Sequence, residues 1–260
     1  REVIKRKDFM ADETEKSEKS ETINKSETTD TSVLIDTDKP DKISRIIVAI
    51  DGPSGTGKST TARLLADKLG YLYIDSGAMY RGITYELLTK EVKPTEIKKI
   101  VQLTNDAKMI FDGENFFLNG KDITAEIRSL EVTNRVSSVS SIKEIRKILV
   151  YKQKSYAIEN DVVMDGRDIG TVVFPQANFK FFLICDIKTR AVRRRQDFID
   201  NGLKIPVEKI MLELKKRDKI DSTRKESPLK KAKDSIEVDT TNMIIEEQVN
   251  FLYRKVKSID

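Results

Sequence analysis

The chain contains no histidine, no tryptophan and a single cysteine among its 260 residues. Lack of histidine removes the usual general base near neutral pH, so any chemistry here must proceed without one. The lone cysteine, Cys185, excludes an internal disulfide. It ends the apolar run Phe181–Cys185, which reads as a buried, reduced thiol and fits a cytosolic setting. No apolar run approaches the roughly 18 residues of a membrane span. The first residues are basic, but no apolar segment follows them, so they are not expected to act as a secretory signal. The sequence opens on Arg1 rather than Met, as a processed form or a fragment would.

Apolar residues are also scarce, at 38%, against 35% charged. Much of the imbalance lies in residues 1–44, where Glu, Lys, Ser, Thr and Asp dominate, as in Glu13-Thr14-Glu15-Lys16-Ser17-Glu18. So little apolar area cannot offset the entropy of ordering, and this leader is expected to be a disordered, solvated segment. It carries nine Lys/Arg against twelve Asp/Glu, so the overall charge of +5 leaves about +8 on the remainder. That excess suits anionic ligands such as nucleotides.

What the sequence does have is a phosphate-cradling loop, Gly52-Pro53-Ser54-Gly55-Thr56-Gly57-Lys58-Ser59, of the form G-x-x-x-x-G-K-[ST]. The run Ile46–Ile50 before it reads as a buried strand, and Thr60–Leu69 after it as an amphipathic helix stopped by Gly70. The motif carries meaning in that strand–loop–helix setting. Its glycines let backbone N–H groups turn toward phosphate oxygens at a helix N-terminus. Lys58 then reaches the β- and γ-phosphates, and the Ser59 hydroxyl ligates Mg²⁺ directly. The loop predicts a nucleoside triphosphate ligand.

From residue 45 onward strands and helices alternate, the pattern of an α/β fold with a parallel sheet covered on both faces. Strands are expected at Tyr71–Ile74, Val162–Met164, Phe179–Cys185 and Ile236–Asp239. Helices are expected at Ala78–Thr89, about Ser141–Ile158, Lys188–Asp200, Val207–Asp218 and Ile244–Val256. Between residues 109 and 123 the texture changes: short apolar runs separated by Asp112-Gly113 and Asn119-Gly120 predict a small antiparallel insertion. Ligands of such sheets gather at the carboxyl ends of the strands. Those ends carry the P-loop, Asp75-Ser76-Gly77 and Asp165-Gly166-Arg167-Asp168.

A P-loop alone serves ATPases, GTPases, switches and kinases. The arginines away from the loop narrow the choice: Arg81, Arg167, Arg193, Arg194, Arg195, Arg217 and Arg224. A kinase with a phosphorylated acceptor needs such forks on the acceptor and across the transferring γ-phosphoryl group. The acceptor's second pKa of about 6 leaves it largely dianionic at neutral pH, so no strong base is required. Asp75 either orients Mg²⁺ through water or caps the helix that follows it.

The segments Asp51–Ser59, Asp75-Ser76-Gly77-Ala78-Met79-Tyr80-Arg81, Glu126-Ile127-Arg128, Asp165–Pro175 and Arg217-Asp218-x-x-Asp221-x-x-Arg224 resemble the bacterial cytidylate kinases, in order and spacing, over residues 45–260. The resemblance implies a P-loop nucleoside-monophosphate kinase fold with a five-stranded parallel sheet. It divides the chain into a core (45–75, 159–187 and 225–260), a monophosphate-binding region with the β insertion (76–158) and a short lid (188–224). It implies ATP as donor, bound by Gly52–Ser59 and Thr60, and CMP or dCMP as acceptor. By matching position, Arg81, Arg167 and Arg217 would hold the acceptor phosphate. Ser137, Arg146 and Asp168 would read the cytosine edge. Asp221 and Arg224 would meet the ribose, with Ser76 and Tyr80 lining the pocket. Arg193 and Arg194 would lie near the donor phosphates, completing with Lys58, Arg167 and Arg217 the catalytic set. Neither nucleic acid nor membrane is expected as a partner, and a monomer is. Kinases of the same fold acting on UMP, AMP or shikimate, and a nucleotide-driven switch or ATPase, are the competing readings; a panel of acceptors separates them.

Overall fold

In the computed structural model, which describes residues 45–200 and 202–258, five parallel strands form the centre of the molecule. They are β1 (Ile47–Asp51), β2 (Leu72–Asp75), β6 (Val162–Gly166), β7 (Phe179–Ile184) and β8 (Ile236–Asp239), in the order β2-β6-β1-β7-β8. The polar leader, residues 1–44, lies outside the described residues. The strands are apolar on both faces because both are covered. Val48 and Ile50 of β1 and Val163 of β6 pack with α1 (Lys58–Leu69) and α8 (Ile245–Lys257). Ala49, Val162 and Met164 point the other way, toward α2 (Ser76–Thr89), α3 (Ile97–Asp106) and α5 (Lys143–Ser155).

The antiparallel insertion comprises β3 (Met109–Asp112), β4 (Asn115–Leu118) and β5 (Lys121–Asp122). Both turns use the left-handed backbone that Asn and Gly tolerate, with Gly113 at φ 59°, Asn119 at 52° and Gly120 at 83°. Phe116, Leu118 and Ile123 anchor this small sheet in the same core as α2. The fit is close at Gly82, where a Cβ would stand 2.7 Å from the Phe116 ring. Two helices, α6 (Ile187–Asp200) and α7 (Val207–Thr223), form a separate apolar seam from Ala191, Ile210 and Leu214.

Several elements differ from the sequence expectation. Helix α7 runs five residues past Asp218, which puts Arg217 and Asp221 one turn apart on one helix and makes Arg224 its C-cap. Helices α3 and α4 (Leu130–Val139) were not anticipated. α4 is rich in Ser, Thr and Val, poor helix formers, and is held by burial of Val132 and Val136 and by the Ser129 cap on the Val132 N–H. The long α5 is shorter than expected, and a five-residue π-helical turn, Ile169–Val173, follows Asp168. Cys185 is only half-buried, just beyond β7, with its Sγ 3.6 Å from Arg193 Nη1, so the expected burial is corrected. No helix among the described residues is long and apolar enough to cross a membrane.

Replacing Gly82 by Ala should push the insertion off α2 and cost about 1–3 kcal/mol of stability. Urea unfolding measures this, and an unchanged midpoint would contradict the packing described.

Candidate active site

The carboxyl ends of β2, β6 and β1 lie side by side, and the polar loops emerge there together. After β1 the chain turns at Gly52 (φ 148°), where any Cβ would come within 2.2 Å of the Leu183 carbonyl oxygen. The loop then enters α1 through Gly57 (φ 90°). Thr56 Oγ1 donates to Pro53 O at 3.2 Å, and Thr240 Oγ1 holds the Thr56 carbonyl at 2.9 Å. Arg190 donates from α6 to the Ser54 carbonyl at 3.2 Å and to Asp218 at 2.7 Å, packing beside Gly55. Lys58 folds back on the loop, its Nζ donating to Pro53 O at 2.6 Å. Burial and the nearby Arg167 and Arg217 charges push its pKa down to about 7. Ser59 and Thr60 stand exposed at the mouth of the helix.

Two carboxylates back the loop. Asp165, at the end of β6, accepts from Ser59 Oγ at 2.9 Å and from the Tyr73 hydroxyl at 2.8 Å. Burial, with Asp75 nearby, pushes its pKa up to about 7. A hydroxyl and carboxylates gathered at the P-loop are the hard oxygen donors that suit Mg²⁺, so Ser59 and Asp165 fit that ion. Asp75 takes the capping geometry: its side chain accepts from the Ala78 N–H at 2.9 Å. Asp51 ends β1 and accepts from the Ile169 and Gly170 N–H groups, each at 2.8 Å. It ties the P-loop strand to the turn after Arg167-Asp168. Burial raises its pKa to about 6 despite those two donors.

Beyond the loop the arginines gather. Burial first, then neighbouring guanidinium groups, lowers the pKa of Arg81 to about 10 and of Arg217 to about 9. The repelling neighbours are Arg194, Arg167 and Arg128 for the first, and Arg81, Arg167 and Arg194 for the second. Arg81 and Arg217 thus feel Arg167 and Arg194 as like charges, while Arg81 holds α4 through Ile127 O and Thr133 Oγ1, both at 3.0 Å, and Arg194 pairs with Asp197 at 3.3 Å and lies over the Phe198 ring. Arg167 reaches Asp221 at 3.0 Å.

Next to them sits an alternating charge cluster. Arg146 pairs closely with Asp168, donates to Ser140 O at 3.1 Å and lies over the Tyr80 ring, 5.1 Å from its centroid. Arg224 stands 3.7 Å from Asp168 and 4.0 Å from Asp221. Ser137 is buried beside this group, its carbonyl accepting from Ser140 and Ser141. Ser76 Oγ donates to the Asp165 carbonyl at 2.7 Å. Arg193 turns elsewhere, to Thr240 O at 2.8 Å and Met243 O at 3.3 Å, and braces the start of α8.

Sequence reasoning placed Asp51 and Asp165 within motifs without giving either a role, and passed over Tyr73 and Arg190. Asp51 and Asp165 carried a usable signal, since each closes a buried strand whose next residue is glycine. Tyr73 and Arg190 carried none, because their partners lie 92 and 136 residues away.

The family model for cytidylate kinase matches residues 48–258. Among curated relatives, the cytidylate kinase of Fusobacterium nucleatum is 45% identical over 217 residues, 84% of this chain and 100% of that protein. That of Clostridium tetani is 48% identical, covering 82% of this chain and 95% of the relative. That of Caldanaerobacter subterraneus subsp. tengcongensis is 46% identical, covering 81% and 94%.

Asp51 gives a pH test of the geometry. The folded state holds a proton on Asp51 more tightly than the unfolded chain, whose value is about 3.9. Its stabilising contribution is therefore complete below that value and lost as pH rises through about 6. The stability of the parent relative to Asp51→Asn should fall across this range and then level off, as read by urea unfolding. A difference that grows with pH would contradict the assignment.

Proposed function

The chain belongs to the cytidylate kinase family, and we propose that it moves the γ-phosphoryl group of ATP to CMP or dCMP, giving ADP and CDP or dCDP. The observation that carries this reading is the juxtaposition at one sheet edge of a P-loop, four mutually repelling arginines and the buried Arg146–Asp168–Arg224 cluster. Each supplies one part of the reaction. The P-loop N–H groups and Lys58 take the donor phosphates, Lys58 exchanging its bond to Pro53 O for one to phosphate. Mg²⁺, held from Ser59 and faced by Asp165, would neutralise charge on the donor phosphates when bound.

Arg81, Arg167 and Arg217 hold the acceptor phosphate, and its dianion relieves their mutual repulsion. Arg194 faces the same group, where charge develops on the moving phosphoryl. The acceptor oxygen is already ionised at neutral pH, so alignment and charge stabilisation suffice and histidine is unnecessary. Asp168 accepts from the exocyclic amine of cytosine, and Arg146 donates to the ring nitrogen and carbonyl. Uracil presents the opposite pattern, at a cost of roughly 1–3 kcal/mol for each unmatched buried group. Asp221 and Arg224 then meet the ribose. The α6–α7 pair, tied to the P-loop through Arg190, acts as the lid that excludes water. A monomer in the cytosol, where both nucleotides occur, completes the reading.

ADP release with ATP and Mg²⁺ should be strong with CMP and dCMP, weak with UMP and AMP, and near background without an acceptor. Acceptor-independent release, or equal efficiency on UMP, would overturn the proposal. Lys58→Ala should lower turnover by at least about 100-fold with the fold retained by circular dichroism. Arg167→Ala should lower kcat more than it weakens ATP binding; unchanged turnover would remove Arg167 from the catalytic set.

A further inference from the structure

One buried group beside the base-reading cluster is left without a role by this mechanism. Gln153 lies on α5 and is 1% exposed, yet neither its Oε1 nor its Nε2 completes a hydrogen bond. An amide in that state is costly in an otherwise apolar setting, and Ile145 and Leu149 on the same helix are fully buried. Gln153 follows Arg146 by seven residues, two helical turns, so both side chains emerge from one face of α5. Its amide faces the buried Tyr80 hydroxyl on α2 closely enough to offset part of that hydroxyl's raised pKa, though neither group completes a hydrogen bond. The Tyr80 ring in turn underlies the Arg146 guanidinium, whose Nε is also buried without a partner. A short line of contacts therefore runs from Gln153 through Tyr80 to Arg146, and from there to Asp168.

We propose that Gln153 is a positioning residue for base selection: it fixes the Tyr80 ring, and the ring fixes the plane of the Arg146 guanidinium that discriminates cytosine from uracil. Gln153 touches no substrate in this scheme. Arg146 has one remaining anchor of its own, the Ser140 carbonyl, besides the carboxylate of Asp168. A guanidinium resting on a ring that is free to tilt would keep its charge but lose the direction of its N–H groups. Selectivity would then suffer before turnover does.

The inference rests on the CMP kinase reading, and the test separates the two. Full-length parent and Gln153→Met, which keeps the volume and removes the amide, are assayed for kcat and KM on CMP and UMP, and for KM on ATP. The expected result is a fall of about tenfold in the ratio of kcat/KM for CMP to that for UMP, carried by KM for CMP, with KM for ATP within about twofold. Tyr80→Phe, which removes the hydroxyl through which Gln153 acts, should produce a similar fall, and the double variant should be no worse than either single one. Equal losses on CMP and UMP, an unchanged ratio or additive single effects would overturn the positioning role. Should Gln153→Met not fold, Gln153→Asn, which withdraws the amide by one methylene, is held to the same ratio. A parent that fails to phosphorylate CMP would overturn the kinase reading itself, whatever the variants do.

Discussion

Charge taken out of water is the constraint on which this structure turns. Lys58 is buried, and Arg81 and Arg217 half-buried, close enough to other cations that their pKa values fall, and Asp51 and Asp165 are buried deeply enough that theirs rise. A folded domain tolerates such groups best where each meets an opposite charge or a hydrogen bond. Here Lys58 finds the Pro53 carbonyl, Arg81 the Ile127 carbonyl and the Thr133 hydroxyl, Asp51 two backbone N–H groups, and Asp165 the Ser59 and Tyr73 hydroxyls, whereas Arg217 has the attraction of Asp221 and a buried Nε with no hydrogen-bond partner. The remaining excess is positive and lies where anionic substrates must meet. On the proposed roles, the same desolvation that weakens the resting site would strengthen its hold on phosphate.

The sheet makes that arrangement possible. The order β2-β6-β1 brings three strand ends together from residues as far apart in sequence as Asp51 and Asp165. Each end contributes a carboxylate, Asp75, Asp165 or Asp51, and each carboxylate is used differently: a helix cap, a partner of the Ser59 hydroxyl, and a clamp on two backbone N–H groups. Glycine lets the backbones approach. Gly166, next to Asp165, leaves room for Ser76, whose Oγ would be 2.5 Å from any Cβ there. The α6–α7 pair has its own small apolar seam and reaches the sheet edge through polar contacts such as Arg190 with Ser54, an attachment suited to a moving part.

Much of this was legible in the sequence because it is local. The P-loop, the apolar strands and the Asn-Gly and Asp-Gly turns are short motifs whose geometry follows from backbone sterics, and the strands and turns fell within a residue or two of their expected places. The parallel sheet and the β insertion followed from the same patterns, and the five-stranded core from the resemblance to the cytidylate kinases. What escaped was set by tertiary contact. Helix α4 forms from poor helix formers because Val132 and Val136 find a core, and α7 runs through Asp218 to Thr223 because Asp221 finds Arg167. Arg193 and Arg194 are neighbours in sequence, but helical geometry turns one toward the start of α8 and the other toward Arg81 and Arg217. Gln153 stands among charged residues on α5, and nothing in its sequence neighbourhood marks it for burial.

The account holds that the acceptor site is organised before the donor arrives and that phosphate, more than base, supplies its affinity. Titration calorimetry of the ATP-free protein with CMP and with cytidine tests this most directly. The account predicts that CMP binds and that cytidine, which leaves the repulsion among Arg81, Arg167 and Arg217 in place, binds about 100-fold more weakly or not at all. Comparable affinities for the two would contradict it, and would mean that the buried arginines serve something other than the acceptor phosphate.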